Sequence, residues 1–154
     1  MTQPDVVYLH NPADKHPTHV AVVGRTIQEL RKMSNKPSLV YGCEVWRDLD
    51  WLPDELKVVW DVSKHQELGD ILLRVYASQN QGGKRYDLAS VGRRRANATY
   101  LDSHGVDTAE SVIFGVNLTP LLHNNMPLEV FVLELIDKFR EDVRQTMKKA
   151  GLTE

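Results

Sequence analysis

The chain has a single cysteine and no long apolar run, and these absences exclude several classes of protein. One cysteine, Cys43, can form neither an intrachain disulfide nor a cysteine-rich metal knuckle. No apolar run approaches the roughly 20 residues that a bilayer-spanning helix needs. The first residues have neither the basic start nor the apolar stretch of a signal peptide. We therefore expect a cytoplasmic protein without a membrane segment.

An excess of basic charge is also lacking. The 19 Lys and Arg residues are opposed by 21 Asp and Glu residues, which gives a formal net charge of −2. This balance argues against a general nucleic-acid binder, because such proteins depend on basic surface. A length of 154 residues with 42% hydrophobic composition suits one domain with its own core. We expect a single domain over residues 1–154.

Apolar runs alternate with stretches of helical spacing. The runs predict strands at 6–9, 39–46, 58–62 and 111–114, and the spacing predicts helices at 19–33, 63–79, 89–103 and 127–149. Ser63 followed by Gln66 has the pattern of a capping box at the second helix. The apolar start of the 39–46 run indicates a strand buried on both faces. The order of elements predicts an α/β fold with a mostly parallel sheet.

The densest group of chemically active residues follows the first predicted strand, where residues 10–19 read HNPADKHPTH. Ligands of open α/β sheets collect at such carboxyl ends of strands. His16 and His19 are three residues apart at a helix start, so one could ligate a metal while the other acts as an acid. His10 could join them. The alternative interpretation is a surface loop with solvated histidines.

Other polar residues are expected at the same edge of the sheet. Glu44 and Arg47 follow the second predicted strand, and an arginine there could bind a phosphate or carboxylate through two hydrogen bonds. A salt bridge within the loop is the alternative. The run 93–95, Arg-Arg-Arg, is either a solvated basic helix face or a ligand patch. Cys43 lies in a predicted buried strand, where it would be inert.

Residues 10–19 resemble the second signature of the PIG-L (LmbE-like) zinc N-deacetylases, which typically contains His-Pro-Asp-His. The segments 43–47 (CEVWR), 77–79 (ASQ) and 92–96 (GRRRA) strengthen the resemblance, which runs from Val6 to Leu122. The most similar branch is the domain that bacteria use alone or behind a glucosamine-6-phosphate deaminase domain. The resemblance implies a Rossmann-like three-layer sandwich that lacks the family's N-terminal strands.

The resemblance also implies roles for individual residues. His19 would ligate zinc, and His16 would be the catalytic acid that stabilises the oxyanion or protonates the leaving amine. Arg47 would contact the substrate, and we expect Glu44 and Asp14 to contribute to the same subsite. In this family zinc lowers the pKa of a bound water to about 7 and polarises the amide carbonyl.

Two departures from the family pattern change what this chain can do. No Ala-His-Pro-Asp-Asp-Glu segment is present, so two zinc ligands and the general base are missing. Thr18 stands where the family has an Asp that supports an imidazole. The loss of the first strands should expose a sheet edge. We therefore expect a homo-oligomer or a partner chain that completes the domain.

Three functions remain open. The first is zinc-dependent hydrolysis of the N-acyl group of an amino sugar, once the missing metal motif is supplied. The second is an inactive truncated homologue that binds a sugar phosphate or another protein. The third is a part of a glucosamine-6-phosphate deaminase-type protein. An upstream reading frame encoding Ala-His-Pro-Asp-Asp-Glu would favour the first.

Overall fold

The computed structural model describes residues 3–152, apart from the side chain of Gln79. The strands are β1 (Val6–His10), β2 (Leu39–Cys43), β3 (Lys57–Asp61) and β4 (Val112–Asn117). The α-helices are α1 (Pro17–Lys32), α2 (Gln66–Val75), α3 (Ala77–Gln81), α4 (Tyr86–Tyr100) and α5 (Leu128–Lys149). Short 3-10 turns cover Asp54–Leu56, Ser63–His65 and Thr119–Leu122.

The four strands form one mixed sheet in the order β1-β2-β4-β3. β1 and β2 are parallel, with Val6 opposite Leu39 and His10 opposite Cys43, whereas β4 runs antiparallel to β2. The α/β class is thus confirmed, but the prediction of a mostly parallel sheet is wrong, since only one pair is parallel. Continuous apolar runs indicate burial on both faces, which a central antiparallel strand also has, and they do not specify strand direction.

The chain separates into two compact units. The first contains the residues up to Val58 and those from Phe114 onward, and the second is Val59–Ile113. The prediction of one domain over residues 1–154 stays a prediction. Among residues 3–152, no helix combines the length and apolar character needed to cross a bilayer.

The first unit is organised around α1, which connects the parallel strands β1 and β2. Val23, Ile27 and Leu30 recur at helical spacing, and all three are buried. Pro17 is the first residue of the helix, a position where the missing N–H and fixed φ cost little. The other buried apolar residues of this unit are Val40, Leu49, Leu52, Phe114, Val116, Leu118, Leu121, Leu122 and Leu135. Burial of the α1 stripe formed by Val23, Ile27 and Leu30 explains why this helix forms where the spacing predicts it.

The last turn of α1 is fastened to the chain ahead of α5. The Arg31 guanidinium donates from Nε to the Leu121 carbonyl oxygen and from Nη2 to the Met126 carbonyl oxygen, both at 2.6 Å. These bonds use a charged donor, which makes each of them stronger than a neutral hydrogen bond.

The second unit departs from the predicted capping box. Ser63 lies in a 3-10 turn, and its hydroxyl donates to the Asp61 carboxylate while it accepts the N–H groups of Glu110 (2.9 Å) and Ser111 (3.2 Å). It therefore has no role at the start of α2, which begins at Gln66. The predicted helix 63–79 is also divided at Tyr76, whose ψ of 74° is not helical.

Candidate functional site

Three histidines gather where β1 ends and α1 begins. The His10 and His19 rings stack with centroids 3.8 Å apart and planes 4° from parallel. The His16 ring also stacks on His19, with centroids 4.8 Å apart and an interplanar angle of 28°. His10 is the last residue of β1, and His19 lies in the first turn of α1, because that helix begins at Pro17. The predicted gathering of these residues is thus present in the fold.

Asp14 lies beneath this cluster with a fully buried side chain. Its Oδ1 accepts the N–H of His16 at 2.9 Å, and its Oδ2 accepts the N–H of Trp46 at 3.0 Å. Burial alone would raise the pKa of Asp14, but these bonds, the N–H of Arg47 and the proximity of His19 together hold it below its usual value. Asp14 is therefore a carboxylate at neutral pH.

The Asp14 carboxylate faces His19. Its Oδ1 is 3.4 Å from Nδ1 of His19, a distance typical of an ion pair and long for a hydrogen bond of good geometry. Nδ1 is enclosed and has no hydrogen-bond partner among the described residues. Since the Asp14 carboxylate is 3.4 Å from this nitrogen, we assign the proton of neutral His19 to Nδ1, which leaves the lone pair on Nε2. We predicted a substrate contact for Asp14, and this remains a prediction; its geometry is that of a group that orients a histidine.

Asn11 joins the ends of the two parallel strands, a role that the sequence reasoning missed. It is fully buried, its N–H donates to the Cys43 carbonyl at 2.8 Å, and its Nδ2 donates to the Arg47 carbonyl at 3.1 Å. Its Oδ1 is buried without a hydrogen-bond partner in the described part of the chain. An asparagine between a strand and a proline was the available signal, because Asn often closes such turns.

Gly42 permits the close approach of these strand ends. A Cβ at this position would lie 3.1 Å from the Asn11 Cα and from a Val116 methyl carbon, and 3.2 Å from the His10 carbonyl oxygen. Two of these neighbours are backbone atoms, which cannot move aside as a flexible side chain could. The absence of a side chain at Gly42 therefore keeps His10 and Asn11 close to β2.

Arg47 and Glu44 also lie near the carboxyl ends of β1 and β2, as the sequence predicts. Arg47 is exposed, and its Nε donates to the Ala13 carbonyl oxygen at 2.6 Å. Glu44 is half-buried, and its Oε1 accepts the N–H of Phe114 at 3.2 Å. The Arg47 side chain is thus held against the loop that bears Asp14, whereas one Glu44 oxygen is occupied by β4. Their substrate contacts stay predictions.

Two neighbouring groups have shifted titration. Burial and the proximity of His19 lower the pKa of His10, although Asp14 acts in the opposite direction. Burial, with a smaller effect of Glu44, raises the pKa of the half-buried Cys43 thiol to about 11. The thiol is therefore protonated at neutral pH, which agrees with the prediction that Cys43 is inert.

The residues present fit one position of a zinc site but do not complete it. His19 has the arrangement typical of a metal-ligating histidine, with one ring nitrogen directed at a carboxylate. However, imidazole lone pairs lie in the ring plane, and the parallel rings of His10 and His19 do not direct theirs to one point. Among residues 3–152, no three His, Cys, Asp or Glu side chains could hold a metal ion together.

The remaining basic residues singled out in the sequence belong to the second unit. Arg93, Arg94 and Arg95 lie on α4, and Gly83 has a φ of 85° in the turn that precedes that helix. A positive φ explains why glycine occupies this turn. Compared with known proteins, the chain matches no family model, no curated protein and no solved structure.

Proposed function

We propose that this chain is the histidine-bearing part of a PIG-L-type enzyme, a zinc-dependent hydrolase of the N-acyl group of an amino sugar. The observation that supports this proposal best is the buried Asp14 carboxylate held against His19 at the end of β1. A carboxylate that fixes one ring nitrogen of a histidine leaves the other as a metal ligand. The proposal implies a Rossmann-like three-layer sandwich, to which this chain contributes four strands.

His19 would supply one ligand of the zinc site through Nε2. A catalytic zinc takes three protein ligands, and the described residues do not provide them. The other ligands and the general base would come from an Ala-His-Pro-Asp-Asp-Glu segment, which this sequence lacks.

His16 would handle a proton in this reaction. Hydrolysis adds water to the acyl carbon and breaks the C–N bond, and the departing amine nitrogen takes up a proton. His16 is exposed and its ring is 4.8 Å from that of His19, so an imidazolium there could donate this proton to the amine. Thr18 brings no charge to support the His16 ring, so we expect His16 to be a less effective acid–base partner than in family members with Asp.

Arg47 would bind an anionic group of the substrate. Its Nε bond to the Ala13 carbonyl fixes the guanidinium beside the Asp14 loop, and the side chain remains exposed. A guanidinium fixed in this way can donate its remaining N–H groups to a phosphate or carboxylate. This arrangement supports a phosphorylated amino sugar as the substrate class, with Glu44 as a second contact.

A second polypeptide segment would complete the sheet beside β1. This strand is at the sheet edge, and Val6 and Tyr8 on it are 37% and 62% exposed. An exposed edge offers unpaired backbone N–H and C=O groups to another strand. A strand from a second copy or a partner chain would end next to His10 and His19, where the missing ligands are needed.

A non-catalytic binding module is the second candidate. The parallel stack of His10 and His19 favours it, because the rings would have to turn apart before both lone pairs could reach one metal ion. The deaminase-type alternative has no supporting geometry among the described residues.

Zinc content and acetate release test the proposal. Elemental mass spectrometry would be applied to the purified chain, to His19→Ala, and to the matched control His123→Ala, which changes an exposed histidine outside the cluster. The same proteins would be mixed with a polypeptide that contains the Ala-His-Pro-Asp-Asp-Glu segment and assayed with N-acetylglucosamine 6-phosphate. We expect about one zinc per completed complex and acetate release, both lost in His19→Ala and kept in His123→Ala.

Two outcomes would overturn it. Equal zinc content in the wild type and His19→Ala would exclude His19 as a ligand. Zinc bound through His19 without acetate release from any N-acylated amino sugar would leave a metal-binding module and exclude the hydrolase.

A further inference from the structure

A groove in the second unit has features of a ligand site that is independent of the histidine cluster. α2 and α4 line a cavity of about 230 Å³, with Arg94 and Arg95 among its residues. An adjoining cavity of about 340 Å³ shares Asp70, Val91 and Arg95 with the first. The two cavities together form one groove, which we call the α2–α4 groove.

The two arginines lie on one face of α4. Val91, Arg94 and Arg95 are at positions i, i+3 and i+4, so their side chains are neighbours on the helix surface. No carboxylate of the described residues is within 4.0 Å of either guanidinium. Each of them thus has donors available for an anion.

The acidic residues of the groove balance only part of this charge. Asp87 is bound by Arg85 through two hydrogen bonds of 3.0 and 2.9 Å, which lower its pKa to about 2. Its negative charge is therefore already paired. Asp70 remains as one carboxylate against Arg94 and Arg95, and Arg74 adds a third positive charge to the second cavity. The groove is consequently positive overall.

Gly69 in α2 makes room for one of these guanidinium groups. A Cβ at this position would lie only 2.9 Å from Nη1 of Arg94. Glycine is unfavourable inside a helix, and here its missing side chain lets the Arg94 guanidinium lie directly against the α2 backbone. This places the Arg94 guanidinium within the groove, between the two helices.

The other walls are apolar and open to solvent. Leu68 and Leu72 line the first cavity and are 53% and 57% exposed, and Leu88 lines the second at 59%. A ligand with an apolar body would remove this surface from water, while its charged end meets the arginines.

We propose that the α2–α4 groove binds an oxyanion, a phosphate or a carboxylate, that is attached to a small apolar body. Arg94 and Arg95 bind the oxyanion, and Leu68 and Leu72 contact the body. The proposal does not depend on the function proposed for the histidine cluster.

Four small probes test it by two-dimensional NMR of the full chain. Phenyl phosphate and benzoate have both an anion and an apolar body, phenol lacks the anion, and inorganic phosphate lacks the body. We expect the first two, or one of them, to shift the amide signals of Gly69, Val91 and Gly92. Phenol and inorganic phosphate should bind at least tenfold more weakly, since each uses only half of the site.

Variants connect the binding to the arginines. Arg94→Ala and Arg95→Ala should each weaken phenyl phosphate binding about tenfold or more. Gly69→Ala should weaken it as well, because the new methyl group would lie 2.9 Å from Nη1 of Arg94 and displace the guanidinium, while alanine favours the helix and keeps the protein folded. His123→Ala, which changes an exposed histidine that lines neither cavity, should leave the binding unchanged.

The results distinguish a phosphate site from a general oxyanion site, and they can also contradict the proposal. Shifts with phenyl phosphate alone would identify a phosphate site, and shifts with both anions would identify a general oxyanion site. Binding of phenol as tight as that of phenyl phosphate, or wild-type binding by Arg94→Ala and Arg95→Ala, would overturn the proposal.

Discussion

The imidazole rings of His10 and His19 lie face to face, with centroids 3.8 Å apart and planes 4° from parallel. Two protonated rings in this position would repel each other, so the stack favours a state in which at least one ring is neutral. The lowered pKa of His10 follows from its burial and from this neighbour. The geometry of the cluster therefore has a consequence for stability that can be measured without a ligand.

Lowering the pH from 8 to 5.5 should destabilise the protein, because the pKa of His10 is lower in the folded chain than in the unfolded one. Its pKa in the folded chain lies below the usual 6.5, so between these values the unfolded chain binds more protons than the folded one. The free energy of unfolding should be constant above pH 6.5 as far as His10 is concerned, and should fall as the pH falls below it. Urea unfolding between pH 8 and 5.5, in buffer with a chelator, measures this. His10→Gln should flatten the profile and His123→Gln should not; equal slopes in the wild type and His10→Gln would contradict the prediction.

Removal of the Asp14 charge should destabilise the fold and remove the preference of the His19 ring for one tautomer. Asp14→Asn replaces a carboxylate that accepts backbone N–H bonds with an amide that has one acceptor, and we expect a loss of about 1–3 kcal/mol. The wild type should also lose stability as the pH falls below about 3.8 and through the lowered pKa of Asp14, a component that the variant lacks.

Nitrogen NMR of the His19 ring checks the second consequence for this variant. The neutral wild-type ring should be protonated at Nδ1, whereas Asp14→Asn should contain a mixture of tautomers. Asp48→Asn, an exposed change at the same edge of the sheet, is the control. An unchanged tautomer in Asp14→Asn would mean that another group orients His19.

A methyl group at position 42 should separate β1 from β2. Gly42→Ala places a Cβ 3.1 Å from the Asn11 Cα, and we expect a loss of about 1–3 kcal/mol from overpacking. Gly92→Ala is a matched control, because nothing lies within 4 Å of its added Cβ and alanine favours the helix by up to about 1 kcal/mol. Thermal unfolding followed by circular dichroism compares the two. Equal stability of Gly42→Ala and the wild type would show that the strands can move apart freely.

Cys43 should react slowly in the folded protein. Its pKa of about 11 compares with a usual value of 9.0, so the thiolate fraction at pH 8 is reduced on the order of 100-fold. Iodoacetamide labelling followed by mass spectrometry should show at least this difference between native and urea-unfolded chain. Similar rates in the two states would mean that the thiol is neither buried nor shifted.

The sequence predicted the elements whose burial depends on one periodic stripe. α1 and α5 form close to the predicted 19–33 and 127–149, since their apolar residues recur at helical spacing. The capping box failed because the Ser63 hydroxyl is used by Asp61 and by two N–H groups more than forty residues away. The direction of β4 could not be read either, because apolar runs record burial and not orientation.

The sequence predicted which residues form the candidate site but did not predict how they are arranged. The spacing of His16 and His19 placed them together at the helix start, and proximity in sequence suggested His10. The stack itself depends on how α1 packs on β1, and the strand contact in turn depends on Gly42 and Asn11. No local pattern records these distant contacts, so neither the ring orientation nor the burial of Asp14 was foreseen.

Arg31 connects the helix that carries His19 to residues far along the sequence. α1 has 16 residues and is thus about 24 Å long, with His19 in its first turn and Arg31 in its last. The carbonyl groups of Leu121 and Met126 hold that last turn through the Arg31 guanidinium. Residues about 100 positions after His19 therefore help to hold the helix that carries it, so we expect a change in the loop before α5 to shift the position of this ring at the opposite end of the helix.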